Sequence, residues 1–255
     1  MTRVITRQDP QWRSVTGQKA LFGEIEKLVT KGVFYTKAIE RSDAISKDPK
    51  AHFTKLMLIL GIKFSELDES HWVYKGRAVL RGDRILEADG NLALFSELAS
   101  APASLETLRS IIIYSLLHGE IASTADAVGA YYQHVLTPED GPATYVELTK
   151  QDIVFFAKFY PEITTMKRPC LLLIRLLYGH PRAGYIWEQH FAKHLIADKW
   201  EPVPNSNQTF VKTVTLPAVV DKKQQSESVR WVLGAYVDDC ACGGKRNREA
   251  WQSIR

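Results

Sequence analysis

Residues 231–244 read Trp-Val-Leu-Gly-Ala-Tyr-Val-Asp-Asp-Cys-Ala-Cys-Gly-Gly, and no other stretch restricts the fold as tightly. Val232, Leu233, Ala235, Tyr236 and Val237 make a short apolar run, which ends in Asp238 and Asp239. Small residues follow, then Gly243-Gly244. The pattern predicts a tight β-hairpin with the two acids at or beside its turn. Aspartate is depleted in strands, so a pair closing an apolar strand needs a reason. Two anions this close repel unless a positive charge neutralises them, and carboxylates are the ligands that suit Mg²⁺. The plainer reading is a solvated acidic turn, since aspartate belongs in turns anyway.

Composition narrows the classes. The chain has 255 residues, 45% of them hydrophobic and 24% charged, as expected of a globular protein that buries a real core. A net charge of +4 makes it mildly basic, which is compatible with a polyanionic partner. Cys170, Cys240 and Cys242 are its only cysteines, which argues against a disulfide framework. Cys240-x-Cys242 lacks a second ligand pair, so zinc is not expected. The first ten residues, MTRVITRQDP, have no apolar core and do not read as a secretory signal. The longest apolar run, LLLIRLLYG, is interrupted by Arg175, so no membrane span is expected. There is no internal repeat and no interdomain linker.

Taken in order, 16–31 carries Leu21, Ile25, Leu28 and Val29 at helical spacing, with Gly32 as a stop. Residues 33–39 suggest a short strand, and the charged 40–50, ending in Asp48-Pro49, a loop. Within 53–86, two antiparallel strands, 56–64 and 72–80, are expected around the acidic turn SELDES. Lys75, Arg77 and Arg81 fall at even spacing and are expected on one face of the second strand. They form either a cationic platform for phosphates or the protective cations of an edge strand. Residues 88–91 form a turn. A helix is expected over 100–119, with Pro102 in its first turn and Leu105, Leu108, Ile111, Ile112 and Leu116 on one stripe.

A short strand over 121–125 ends in Asp126, followed by small residues and Tyr131. Asp126 is then either a carboxylate at a strand end or a helix N-cap. Further expectations are a strand at 144–148, a mixed aromatic stretch at 151–167, a buried segment at 169–178 around Arg175, and a break at Gly179-His180-Pro181. A helix runs over 181–198, with Trp187, Phe191 and Leu195 on one face. After a loop at 200–207 come a strand at 208–215, a polar connection at 217–228 whose composition suits disorder, the hairpin, and a helix from Arg248 capped by Asn247.

Three acids, Asp126, Asp238 and Asp239, thus stand at strand ends. Nucleotidyl transfer needs such an arrangement around two Mg²⁺ spaced about 3.5–4 Å. At this point the chain resembles the reverse transcriptase domain of copia-type LTR retrotransposons. Tyr236-Val237-Asp238-Asp239 looks like the family's Y-V-D-D signature, and Tyr74-Lys75-Gly76-Arg77-Ala78-Val79-Leu80-Arg81-Gly82 resembles its Y-K-A-R-L-V-A-R-G strand. Ala101-Pro102 through Leu108-Arg109 is similar to F-A-P-V…T-I-R, and Asp126-Ala127-Val128-Gly129-Ala130-Tyr131 to D-V-K-T-A-F. Leu177-Tyr178-Gly179…Pro181-Arg182-Ala183 resembles L-Y-G-L-K-Q-A-P-R-A, with His180 where the family has K-Q-A. The likeness spans about 12–244, in the family's order.

The resemblance implies an α+β right-hand polymerase fold with an antiparallel palm sheet, helices on one face, a fingers subdomain and no thumb. Residues 1–118 would be mainly fingers, with the palm helix 100–119, and 119–255 palm, truncated after the hairpin. It implies an RNA-directed DNA polymerase from a retrotransposon polyprotein, adding dNTPs to a primer 3′-OH. Asp126, Asp238 and Asp239 would be catalytic and hold two Mg²⁺, with Mn²⁺ as a substitute. Asp238 would bond most directly, and the Ala127 carbonyl would complete one ion. Lys75, Arg77 and Arg81 would meet the triphosphate, and Tyr131 would lie under the sugar and exclude a 2′-OH. Tyr178, Gly179, Arg182 and Tyr236 would line the template and primer. Implied partners are an RNA or DNA template with primer, dNTPs and the rest of the polyprotein (thumb, RNase H, integrase), with no membrane. The implied location is a cytoplasmic particle or the nucleus. Two rivals stand beside this reading: a decayed or domesticated nucleic-acid-binding module on the same fold, and a two-metal nuclease.

Overall fold

A computed structural model of the chain describes residues 2–96, 98, 100–217, 226–252 and 254. The strands are β1 (Thr2–Ile5), β2 (Ile39–Glu40), β3 (His52–Thr54), β4 (Leu56–Lys63), β5 (Val73–Leu80), β6 (Ser123–Asp126), β7 (Thr144–Glu147), β8 (Pro169–Leu172), β9 (Glu201–Pro202), β10 (Thr209–Leu216), β11 (Glu227–Tyr236) and β12 (Asp239–Gly243). The helices are α1 (Pro10–Arg13), α2 (Val15–Thr30), α3 (Arg41–Lys47), α4 (Leu105–Leu117), α5 (Ala130–Gln133), α6 (Lys150–Phe156) and α7 (Ala183–Ala197). Helices and antiparallel and mixed sheets together make this an α+β protein. It falls into two compact units, one of Met1–Ser96 and Tyr131–Ala183, the other of Glu97–Ala130 and Gly184–Arg255.

In the first unit, α2 forms as its apolar spacing predicts. Leu21, Ile25 and Leu28 are fully buried in one core with Leu58, Leu60, Ile62, Ala78 and Leu80 of the antiparallel β4–β5 pair. Each such side chain contributes roughly 1.5–3 kcal/mol through burial. The helix comes close because position 76 has no side chain: a Cβ there would lie 2.4 Å from the Ala20 carbonyl oxygen. Gly32, at φ +65°, ends α2. β1 adds a third strand, in the order β1-β4-β5. A second sheet, β2-β8-β7-β3, is antiparallel except for the parallel β7–β3 pair.

Two expectations are corrected in this unit. Of 33–39, only Ile39 enters a strand, and Phe34 makes an isolated bridge to Leu173. The charged stretch 40–50 is no loop but contains α3, because Ala44 is buried against Ala51, Phe53, Tyr145 and Cys170. Tertiary burial on one face outweighs the polar composition there.

The second unit holds the antiparallel sheet β6-β12-β11-β10-β9. On α7, Trp187, Phe191 and Leu195 are buried as their spacing predicts. α4 packs on β11 and β12 at glycines: a Cβ on Gly243 would lie 2.6 Å from the Ile111 carbonyl oxygen, and one on Gly234 2.9 Å from Ile111 Cδ1. The helix starts later than 100 because Ser104 caps it, its Oγ accepting from the Thr107 N–H at 3.1 Å; Pro102 precedes it. Its expected apolar stripe is also corrected. Ile111 and Ser115 are buried, whereas Leu105, Ile112 and Leu116 are 57%, 49% and 61% exposed. Asn247 does not cap a following helix but opens a 3-10 turn (Asn247–Gln252), its buried amide donating to the carbonyls of Ile121 and Gly244. Of the expected connection 217–228, residues 218–225 lie outside the described residues, and Glu227 and Ser228 already belong to β11. Among the described residues, no helix is long and apolar enough to cross a membrane.

Candidate active site

The hairpin closes with Tyr236 paired to Asp239, which leaves Val237 and Asp238 as a two-residue turn. Val237 has φ +58°, a left-handed conformation unfavourable for a β-branched side chain and usually left to glycine. Two hydrogen bonds hold the turn there. Trp187 Nε1–H donates to the Val237 carbonyl at 2.7 Å, and the Ala127 N–H donates to the Asp238 carbonyl at 2.7 Å.

β6 runs antiparallel along β12, and its last residue, Asp126, lies directly opposite Asp239. Directly opposed residues share a sheet face. Both are exposed, and Asp238 is half-buried at the turn. Asp239 lies opposite Asp126 in the ladder, and Asp238 occupies the adjoining turn, its carbonyl accepting the Ala127 N–H. Asp126 is not a helix cap, since α5 begins only at Ala130. The Ala127 carbonyl accepts the Ala130 N–H at 3.0 Å.

Next to Asp239 the chain turns inward at Cys240, which is buried. Burial pushes its thiol up to about 12, and the charges of Asp239, Asp238 and Asp126 push it the same way. One buried sulfur therefore feels all three carboxylates, a sign that they share a neighbourhood. None of the three makes a side-chain hydrogen bond or ion pair among the described residues. Exposed carboxylates, uncompensated and opposed at strand ends, fit a hard divalent cation. Among the described residues, however, no three His, Cys, Asp or Glu side chains are grouped as a complete metal cage would group them. The geometry is a facing pair, Asp126 and Asp239, with Asp238 beside it.

Apart from Tyr236, the other candidate side chains lie in the first unit. Lys75 and Arg77 are both exposed on β5, with Gly76 turned inward to α2. The Lys75 ammonium sits below its ordinary range, through partial burial and then the positive charges of Lys63, Arg77 and Lys27. β5 ends at Leu80, so Arg81 falls beyond the strand and does not complete the expected row; it pairs with Asp83 at 2.8 Å. The chain leaves the strand here because 80–82 presses on 178–179. A Cβ on Gly82 would lie 2.1 Å from the Gly179 carbonyl oxygen, and one on Gly179 (φ +87°) 2.1 Å from that of Leu80. The Leu80 N–H donates to the Tyr178 carbonyl at 2.7 Å. Two motifs about a hundred residues apart thus meet backbone to backbone. The Tyr178 ring lies 4.4 Å from that of Tyr131 and 5.7 Å from that of Tyr132. Arg182 Nη1 donates to the Asp140 carbonyl at 2.5 Å. Tyr236 is 53% exposed beside the acids in the second unit.

Sequence reasoning missed the residues that brace the turn. Trp187 registers only as a core aromatic in a helical stripe, and no local signal links its indole to a carbonyl fifty residues on. The fold and these residues define an α+β protein with an opposed pair of strand-end carboxylates on one sheet. In comparisons with known proteins, no family model and no curated protein matches the chain.

Proposed function

We propose that this chain is a polymerase domain of the reverse transcriptase class, built as a right-hand fold, which adds dNTPs to a primer 3′-OH along an RNA or DNA template. The observation that carries the reading is the opposition of Asp126 and Asp239 across β6–β12, with Asp238 at the adjoining turn. Asp126 and Asp239 would hold Mg²⁺ (Mn²⁺ in substitution), with Asp238 as the further ligand. Bound there, the ions would supply charge neutralisation at the triphosphate and a more acidic primer hydroxyl.

In the reaction the primer O3′–Pα bond forms, the bond from Pα to pyrophosphate breaks, and the hydroxyl proton passes to solvent. The chain's own contribution is position and charge. The hydrogen bonds from Trp187 and Ala127 hold the backbone of the turn that carries Asp238, and the exposed Lys75 and Arg77 offer cations suited to phosphate oxygens. Tyr178 and Arg182, held on Tyr131 and on the Asp140 carbonyl, supply a ring and a guanidinium suited to a nucleic-acid strand.

A primer–template extension assay with dNTPs and Mg²⁺ tests this. Extension by the wild type and none by Asp126→Asn or Asp239→Asn is expected, since the amide keeps the shape and loses the anion. Unchanged incorporation by either variant would end the proposal. A second reading, a nucleic-acid-binding module that does not polymerise, is favoured by His180, which stands where the resemblance implies K-Q-A. It expects wild type and both variants to bind primer–template alike and none to extend it.

A further inference from the structure

The four-stranded sheet gathers cations at one end. β2, β7 and β3 finish there, at Glu40, Glu147 and Thr54, and β8 starts there, at Pro169. Arg41 follows β2, Lys55 follows β3, and Arg168 precedes β8. Thr54 Oγ1 donates to the Arg81 carbonyl at 3.0 Å, tying in the loop that carries Arg84. Together they line a cavity of about 180 Å³ with Phe53 in its wall. All of these residues belong to the first unit.

The charge there is unbalanced. Arg41, Lys55, Arg81, Arg84 and Arg168 line the cavity; among the described residues Glu147 is the one carboxylate in its lining, with Glu40 beside it accepting the Lys167 and Arg168 N–H groups. Arg168 takes both Glu147 oxygens, Nε to Oε1 at 3.1 Å and Nη2 to Oε2 at 2.8 Å. Arg41 shares the same carboxylate at 3.5 Å. Its guanidinium lies over Phe53, 4.2 Å from the ring centroid, and the atom that meets Glu147 is the buried Nε. Arg81 is engaged by Asp83, whose charge Arg84 also feels, and the exposed Lys55 and Arg84 make no ion pair among the described residues.

We propose that this end of the sheet is a binding site for a small, multiply charged oxyanion of the phosphate class, with inorganic pyrophosphate as its probe. Guanidinium forks match phosphate oxygens two at a time, and the excess of positive charge favours a polyanion over a single carboxylate. The site shares no residue with Asp126, Asp238 and Asp239, and it stands whether or not the chain polymerises.

Calorimetric titration of the full chain with pyrophosphate in EDTA tests it, with acetate as the monoanion control. One saturable site is expected for the wild type and for Asp126→Asn, and none for acetate. The double variant Lys55→Gln/Arg84→Gln, both exposed and so expected to fold normally, should bind about tenfold more weakly or worse, as should Arg168→Gln. Absence of saturable binding, or equal affinity in those variants, would overturn the site. Binding of a single-stranded oligonucleotide that depends on Lys55 and Arg84, with none of pyrophosphate, would overturn it in favour of a strand-binding surface.

Discussion

Asp126 and Asp239 face each other across the β6–β12 ladder as two exposed carboxylates on one sheet face, without a counter-ion among the described residues. Like charges directly opposed on antiparallel strands destabilise by roughly 0.2–1 kcal/mol. Asp239→Asn is therefore expected to stabilise the chain by about that much in EDTA. Mg²⁺ should reverse the order: an ion bound only by the folded state adds about 2.7 kcal/mol at a hundred times its Kd, and the variant forgoes it. Thermal melts of both proteins with and without Mg²⁺ check this. A Mg²⁺ response of equal size in the two would remove the pair from any metal site.

Val237 sits where glycine belongs. At φ +58°, a β-branched residue carries strain on the order of 1–3 kcal/mol. Val237→Gly relieves it, loses a half-buried side chain and adds backbone entropy to the unfolded chain, for an expected net gain of about 1 kcal/mol. The turn hydrogen bonds involve backbone carbonyls and are unaffected. A denaturant midpoint lower than wild type would mean that the valine side chain, rather than the braces from Trp187 and Ala127, holds the turn.

What the sequence made legible was local. The hairpin, the β4–β5 pair, α2 and α7 each follow from a period and a stop signal within a dozen or so residues. α3 was hidden because Ala44 is buried by Phe53 and Tyr145, which no reading of a charged segment reveals. The α4 stripe shows the reverse: periodicity marks an apolar face but does not say whether anything covers it. At the candidate site, the acids were visible as strand-end residues. That Asp239 pairs with Asp126 is a register between strands more than a hundred residues apart, which no local pattern specifies.

Tyr131 allows two outcomes to be separated. Its ring packs 4.4 Å from Tyr178, so Tyr131→Ala should cost about 1–3 kcal/mol of stability. If the ring also excludes a 2′-OH, as the resemblance implies, Tyr131→Ala should raise the use of ATP relative to dATP by roughly 5- to 150-fold, the equivalent of about 1–3 kcal/mol of overpacking. Competition between ATP and dATP in primer extension reads this directly. An unchanged ratio would leave Tyr131 as a packing residue alone.

His180 makes the fold acid-sensitive in a defined window. The ring is buried beside Phe95, and its Nδ1 accepts the Arg182 N–H at 3.3 Å, which requires the neutral form. Burial, then the charges of Arg182 and His52, lower its pKa to about 4, with Asp140 pulling the other way. The unfolded chain takes up this proton near pH 6.5 and the folded chain only near 4, so acid favours unfolding between those values. Stability is unaffected by this group above pH 6.5, falls by about 1.4 kcal/mol per unit below it, and levels off near pH 4 after a loss of about 3 kcal/mol. Asp152 works against this, because burial raises its carboxyl and so favours the folded state in acid. That contribution is common to wild type and variant and cancels in their difference. His180→Asn, whose side-chain oxygen can accept the same N–H, should therefore flatten the slope between pH 6.5 and 4 while costing some packing at pH 7. Urea titrations of both proteins across that range give the comparison, and parallel slopes would show that the imidazole takes up its proton equally readily in the folded and unfolded states.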